Sequence, residues 1–153
     1  MALKIQQKYF FFIQGSRYYR FGAKNAVDEG YPQPIAYGWP GVPDDIDAVF
    51  TLPTSFATYF FKGSLAYKYD DKEGRVAQGY PKKINEEFKG DYFPSSGFDS
   101  VFHFYLDDVV YFFKGLFYWK LNANDVGVQS HIKGPFLIST DWKDLCVPNH
   151  LSI

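Results

Sequence analysis

The sequence predicts an all-β protein, a β-propeller of three four-stranded blades of about 50 residues each with short helices between them. Three observations carry this reading. Aromatic residues make up 22% of the 153-residue chain (17 Phe, 13 Tyr and 3 Trp), and aromatics fit pleated, half-buried surfaces. One aromatic hairpin occurs three times, with its glycine at Gly15, Gly63 and Gly115. Further short motifs recur in phase with those hairpins.

The three hairpins read "FFIQGSRYYRFG" (Phe11 to Gly22), "YFFKGSLAYKYD" (Tyr59 to Asp70) and "YFFKGLFYWKLN" (Tyr111 to Asn122). Glycine supplies the positive φ that a two-residue connection needs. The run before each glycine is apolar on both faces, so it must lie between two layers, as in stacked sheets. In the run after it, Tyr19, Tyr67 and Trp119 share one face, and Arg20, Lys68 and Lys120 share the other.

After each of the first two hairpins comes a turn, "EGYPQPI" at Glu29 to Ile35 and "QGYPKKI" at Gln78 to Ile84, followed by a short helical stretch such as "KKINEEF". A Pro/Gly loop then leads to the next unit's first strand, "IDAVF" at Ile46 to Phe50 or "FDSVF" at Phe98 to Phe102. Asp47 and Asp99 each precede the glycine of their hairpin by 16 residues. In the third unit "SHIKGPFLISTDW" replaces the Gly-Tyr-Pro turn. The chain is expected to form one domain, 1–153, with repeat units of approximately 1–48, 49–100 and 101–153.

The set "IDAVF", "TYFFKGSLAYKYD" and "GYPKKI" with a following "FKG", together with the junction "GYPQPIAYGWPGVPDDIDAVF", resembles the hemopexin-like repeat over nearly the whole chain. "GPFLI" followed by Trp142 resembles a hemopexin-type blade end. The resemblance implies a four-bladed propeller, whereas three hairpins are present. Counting back from Phe11 by the Asp47-to-Tyr59 spacing sets Met1 at the place of Val49, and "VPNHLSI" aligns with "VPDDIDA", so that Ser152 matches Asp47. Two architectures follow: a closed three-bladed ring, with the termini meeting in one strand, or an incomplete four-bladed ring. A closed ring is expected to be monomeric; otherwise a homo-oligomer completes it.

The resemblance also implies a central tunnel in which backbone carbonyls of the first strands hold a hard cation such as calcium or sodium. The matching positions are Asp47, Asp99 and Ser152. The simpler reading of the two Asp residues is that they start strands and satisfy neighbouring amides. Haem gives the family its name, and His103, His131 and His150 are the available axial ligands, but they do not fall at equivalent repeat positions. The function expected is therefore a non-catalytic recognition module for a protein, glycan or small-molecule ligand, with a haem- or metal-binding carrier as the alternative.

Other classes are disfavoured. Net charge is −1, with 16 basic against 17 acidic residues and no like-charged block, so nucleic acid and membrane surfaces are not expected partners. No apolar run reaches the length of a membrane span, and "MALKIQQKYF" lacks the pattern of a signal peptide, although the resemblance points to extracellular proteins. Cys146 is the sole cysteine, so no internal disulfide forms. Cys146, His150 and Asp144 make a weak imitation of a nucleophile pair, and no zinc, P-loop or Gly-x-Ser-x-Gly pattern accompanies them, so no enzyme activity is expected.

Overall fold

A computed structural model describes residues 2–6, 9–22, 26–127 and 131–142 of the chain. Three antiparallel sheets follow one another along the sequence. Blade 1 holds β1 (Ala2–Gln6), β2 (Tyr9–Gln14), β3 (Arg17–Phe21) and β4 (Gln33–Pro34). Blade 2 holds β5 (Ala48–Leu52), β6 (Ala57–Lys62), β7 (Leu65–Asp70), β8 (Arg75–Val76) and β9 (Lys82–Lys83), the last two both pairing with β7. Blade 3 holds β10 (Ser100–Phe104), β11 (Val109–Lys114), β12 (Phe117–Asn122) and β13 (Lys133–Leu137). One-turn helices close the blades: α1 (Ile35–Gly38), α2 (Ile84–Glu87) and α3 (Ile138–Asp141).

The recurring glycine is the hairpin turn. Gly15, Gly63 and Gly115 have φ of +59°, +55° and +59° at the first central position, where a type II′ connection places glycine. Each helix hangs from that same turn. The amide of its first residue donates to the residue after the glycine: Ile35 to Ser16 O at 3.0 Å, Ile84 to Ser64 O at 2.9 Å and Ile138 to Leu116 O at 3.0 Å. Each helix ends after four residues with the next amide, of Trp39, Phe88 or Trp142, donating 2.8 Å back to its first carbonyl. The third unit therefore keeps the blade ending although Gly-Tyr-Pro is missing. Its Gly134-Pro135 bond is cis, like Tyr31-Pro32 and Tyr80-Pro81.

The doubly apolar strands lie between layers, as their alternation demands. In β6, Phe60 faces blade 1 in a cluster with Ile13, Tyr18, Ile35, Trp39, Val49 and Tyr69. Its neighbours Tyr59 and Phe61 point the other way, into a cluster with Phe50, Phe88, Phe98, Phe112, Trp119 and Leu121 that joins blade 2 to blade 3. At about 25 cal/mol per Å² of apolar area buried, such stacked aromatics supply most of what holds adjacent blades together.

The pairing register corrects one expectation from the sequence. Ala2 opposes Ile13, Ala48 opposes Phe61 and Ser100 opposes Phe113, so Ala2, Ala48 and Ser100 are equivalent. Leu3, not Met1, thus stands at the place of Val49. The count fails because only two residues separate the paired ends Gln6 and Tyr9, whereas four separate Leu52 from Ala57. The ring also resolves into the open form. Strand β5 packs against both β1 and β10, while β1 and β10 barely meet, so the described residues form an arc of three blades. No helix among them is long and apolar enough to cross a membrane.

Candidate recognition site

Asp47 and Asp99 immediately precede the inner strands β5 and β10. Each carboxylate is occupied by its own hairpin: Oδ2 of Asp47 accepts the Gly63 amide at 2.6 Å, and Oδ2 of Asp99 accepts the Gly115 amide at 2.6 Å. The 16-residue spacing in the sequence is this bond. Their own amides donate 2.9 Å to the carbonyls of Phe61 and Phe113. One oxygen of each carboxylate is thus taken up by its own hairpin, the local strand-start role that the simpler reading gives these residues. Ser152 lies outside the described residues. No cluster of three or more His, Cys, Asp or Glu side chains that could hold a metal exists among the described residues.

His103 Nε2 lies 2.8 Å from Asp108 Oδ1, and the other oxygen of Asp108 accepts from Asn124 Nδ2 at 3.0 Å. His131 is exposed, and His150, like Cys146, lies outside the described residues. The acidic pairs act locally. Asp70 Oδ1 accepts the amides of Glu73 and Lys72 at 3.0 and 2.9 Å, bonds that hold its carboxyl below the usual range. Asp107 accepts the Val109 amide and the Tyr111 hydroxyl.

Two features of blade 3 were not visible in the motifs. The first is its outward sheet face, where Phe102, Tyr111, Phe113, Ile138 and Trp142 are half-buried. Their counterparts in blade 2 (Phe50, Tyr59, Phe61, Ile84 and Phe88) are each 2% exposed or less. Trp142 sets its edge against the rings of Tyr111, Phe113 and Tyr118 at 5.6, 5.7 and 6.2 Å. Tyr118 donates to Asp141 Oδ2 at 2.5 Å, and Lys120 Nζ sits 5.0 Å over Phe136. Tyr111, Tyr118, Lys120, Phe136, Asp141 and Trp142 line a cleft of about 520 Å³. Burial, then the neighbouring carboxylates Asp107 and Asp141, push the Tyr111 and Tyr118 phenols up to about 12, so both stay neutral donors.

The second feature is an apolar corner at the hairpin end. Leu116 is 72% exposed, and the paired residues Phe117 and Leu137 beside it are 41% and 47% exposed. The same three places hold Ser16, Arg17 and Pro34 in blade 1, and Ser64, Leu65 and Lys83 in blade 2. Aligned by structure, the third hairpin alone has large apolar side chains at all three places, where each of the others has one apolar residue. The substitution of Leu116 for serine after the glycine was the available signal; Leu137 could be paired with it only once β13 was in place.

The family model for hemopexin matches residues 2–44 and 46–93. Matrix metalloproteinase-21 of Homo sapiens is 33% identical over 160 residues, covering 94% of this chain and 28% of that protein. Vitronectin of Sus scrofa is 40% identical over 103 residues, covering 63% of this chain and 21% of that protein. The chain thus spans about a quarter of the length of these curated relatives. Among solved structures, a seed albumin from Lathyrus sativus superposes with a TM-score of 0.81 at 21% identity, covering 94% of this chain and 69% of that one. A plant albumin from Cicer arietinum showing hemagglutination gives 0.79 at 23% identity, covering 97% and 72%.

Proposed function

Because this chain belongs to the hemopexin family, we propose that it is a non-catalytic recognition module that binds a protein partner through the apolar corner of blade 3, with a hard cation held on the axis of its inner strands. The observation that carries this reading is the exposure of Leu116, Phe117 and Leu137 together, at places where each of the other blades has a single apolar residue, Pro34 or Leu65. Large apolar side chains grouped at one exposed corner mark a contact surface, and a protein partner buries them at little conformational cost. A protein ligand is preferred over a glycan because the relatives at 30% identity or more are named as metalloproteinases and vitronectin, whereas likeness to the hemagglutinating albumin is likeness of fold. Peptidase activity named for such relatives is assigned to the roughly 70% of their length that this chain does not match.

The axial ion would take backbone oxygens at Asp47 and Asp99, where one oxygen of each carboxylate accepts its hairpin amide. The haem alternative has less support: His103 is already bonded to Asp108. A hemin titration with no Soret shift removes it.

The interstitial collagenase of Sus scrofa, 33% identical over 106 residues, suggests a first probe. Immobilised fibrillar collagen should bind the chain saturably with calcium present, less with chelator, and at least about tenfold more weakly after Leu116→Asp with Leu137→Lys. Equal binding by that double variant refutes the corner as the contact. Binding on a glycan array with none to collagen or to a panel of matrix proteins overturns the protein reading in favour of a lectin.

A further inference from the structure

The turns that join the inner strand of a blade to its second strand lie at the end of the molecule opposite the glycine hairpins. In blade 2 the last inner-strand pair is Leu52 with Ala57, and in blade 3 it is Phe104 with Val109, so residues 53–56 and 105–108 form equivalent turns. The two are built alike. Phe56 and Asp108, the last residue of each, have φ of +53° and +55°, and their carbonyls accept the amides of Asp71 and Ala123, both at 2.8 Å.

The side chains at the two tips differ in a way that turn geometry does not require. Blade 2 has Pro53, Thr54 and Ser55, types suited to a turn. Blade 3 has Tyr105, Leu106 and Asp107 at the same places, with Tyr105 77% and Leu106 71% exposed. Pro53, Thr54 and Ser55 stay exposed although blade 3 packs on blade 2, so a following blade does not cover this tip. Phe104 is different. Its counterpart Leu52 lies on the trailing face of blade 2, the face turned to the following blade, and is buried there against blade 3.

Charge selects the partner. No Lys or Arg occurs from Phe98 to Phe113, whereas Asp107 and Asp108 belong to the tip itself. Asp108 meets His103 at 2.8 Å. Asp107 accepts from neutral groups alone among the described residues, the Val109 amide at 3.2 Å and the Tyr111 hydroxyl at 2.6 Å. An exposed negative charge therefore stands beside an exposed tyrosine ring. The neighbouring turn shows what such a ring attracts, because Lys72 Nζ lies 4.2 Å over the ring of Phe56, itself 47% exposed.

We propose that the tip of the β10–β11 turn is a docking surface for a basic protein segment. A Lys or Arg of that segment stacks on the Tyr105 ring beside Asp107, and an adjacent apolar side chain covers Leu106. A sugar could meet Tyr105 and Asp107 but would leave Leu106 in water, and the two aspartates repel an anionic surface. This tip and the corner of Leu116, Phe117 and Leu137 are at opposite ends of blade 3, so the two contacts are independent.

The test uses the whole 153-residue chain and a fluorescein-labelled octapeptide of alternating Lys and Leu, with Glu-Leu and Lys-Ser octapeptides as comparisons. Fluorescence polarisation is read at about 50 and 500 mM salt. The Lys-Leu peptide should bind saturably, at least about tenfold more tightly than either comparison. Tyr105→Ser with Leu106→Ser should weaken it about tenfold or more. Asp107→Asn, which keeps an acceptor for both hydrogen bonds, should weaken it about threefold and flatten the salt dependence. Both variants should unfold within about 3 °C of the unchanged protein, since the substituted side chains are exposed. Leu116→Asp with Leu137→Lys should leave the affinity unchanged. Undiminished binding after the Tyr105 and Leu106 substitutions overturns the proposal, as does equal binding of the Glu-Leu peptide. Loss of binding in the Leu116 and Leu137 variant overturns it by assigning the peptide to the corner. Phosphatidylcholine vesicles bound through Tyr105 and Leu106, with no binding of the Lys-Leu peptide, overturn it in favour of a membrane surface.

Discussion

Phe61 and Phe113 occupy the same place in successive repeats, follow the same Tyr-Phe pair and precede the same Lys-Gly turn, yet truncating them should have very different costs. Phe61 is fully buried, with the rings of Phe98, Phe88, Phe50 and Phe112 at 5.3, 5.6, 6.0 and 6.2 Å around it. Replacing it by alanine removes the transfer energy of the ring and leaves a cavity walled by rings from two blades, a loss of about 3–5 kcal/mol. Among the described residues Phe113 meets rings of its own blade alone, Phe102, Trp142 and Tyr118 at 5.6, 5.7 and 5.8 Å, and it is half-buried. Alanine there forfeits a fraction of the roughly 2–3 kcal/mol for burying a phenylalanine, with no closed cavity, so about 1–1.5 kcal/mol is lost. With a urea m-value of about 2 kcal/mol/M, the two variants should unfold at midpoints roughly 1–1.5 M apart. Equilibrium urea titration followed by tryptophan fluorescence and circular dichroism measures this directly. Equal losses, within about 0.5 kcal/mol at unchanged m, would show that the trailing face of blade 3 is covered in solution and would refute the open arc.

Two further predictions rest on local geometry. Gly134 has φ +133°, and a Cβ there would sit 2.7 Å from Trp119 Cδ1 and 2.9 Å from the Tyr118 carbonyl, whereas Gly79 has φ +83° with nothing within 4 Å. Gly134→Ala should therefore cost about 3 kcal/mol or more, against about 1 kcal/mol for Gly79→Ala, and similar thermal shifts for the two would contradict the packing of β13 on β12. Burial pushes the phenols of Tyr18, Tyr111 and Tyr118 up to about 12, and raises those of Tyr59 and Tyr80 as well. A phenol whose folded pKa lies above its unfolded value near 10 contributes stability that is fully present below about pH 10 and is lost as the pH rises towards 12. Urea midpoints should fall steadily over that window, and a flat profile would mean that these hydroxyls titrate as in the unfolded chain.

The hairpins, their register with the Gly-Tyr-Pro turns and the layering of β6 were all legible in the sequence, because each depends on neighbours within about twenty residues. Glycine at a positive-φ turn, aromatic alternation on a strand and an aspartate placed to accept the hairpin amide are local requirements, and local requirements leave a repeated pattern. The Asp47 and Asp99 spacing was visible as a number and became a bond at 2.6 Å. The first strand was misplaced by two residues because the length of a hairpin loop leaves no mark on the strands that it joins.

What the residues determined alone is the blade: a four-stranded unit, apolar on both sides, that cannot be stable without neighbours. What only the tertiary structure decided is which of those sides finds a neighbour. Phe61 and Phe113 stand in nearly identical sentences, "YFFKGS" and "YFFKGL", and nothing in either says whether a blade follows. Burial is a property of the partner as well as of the residue, so the sealed junctions, the open trailing face of blade 3 and the apolar corner of Leu116, Phe117 and Leu137 appear only when the blades are set side by side.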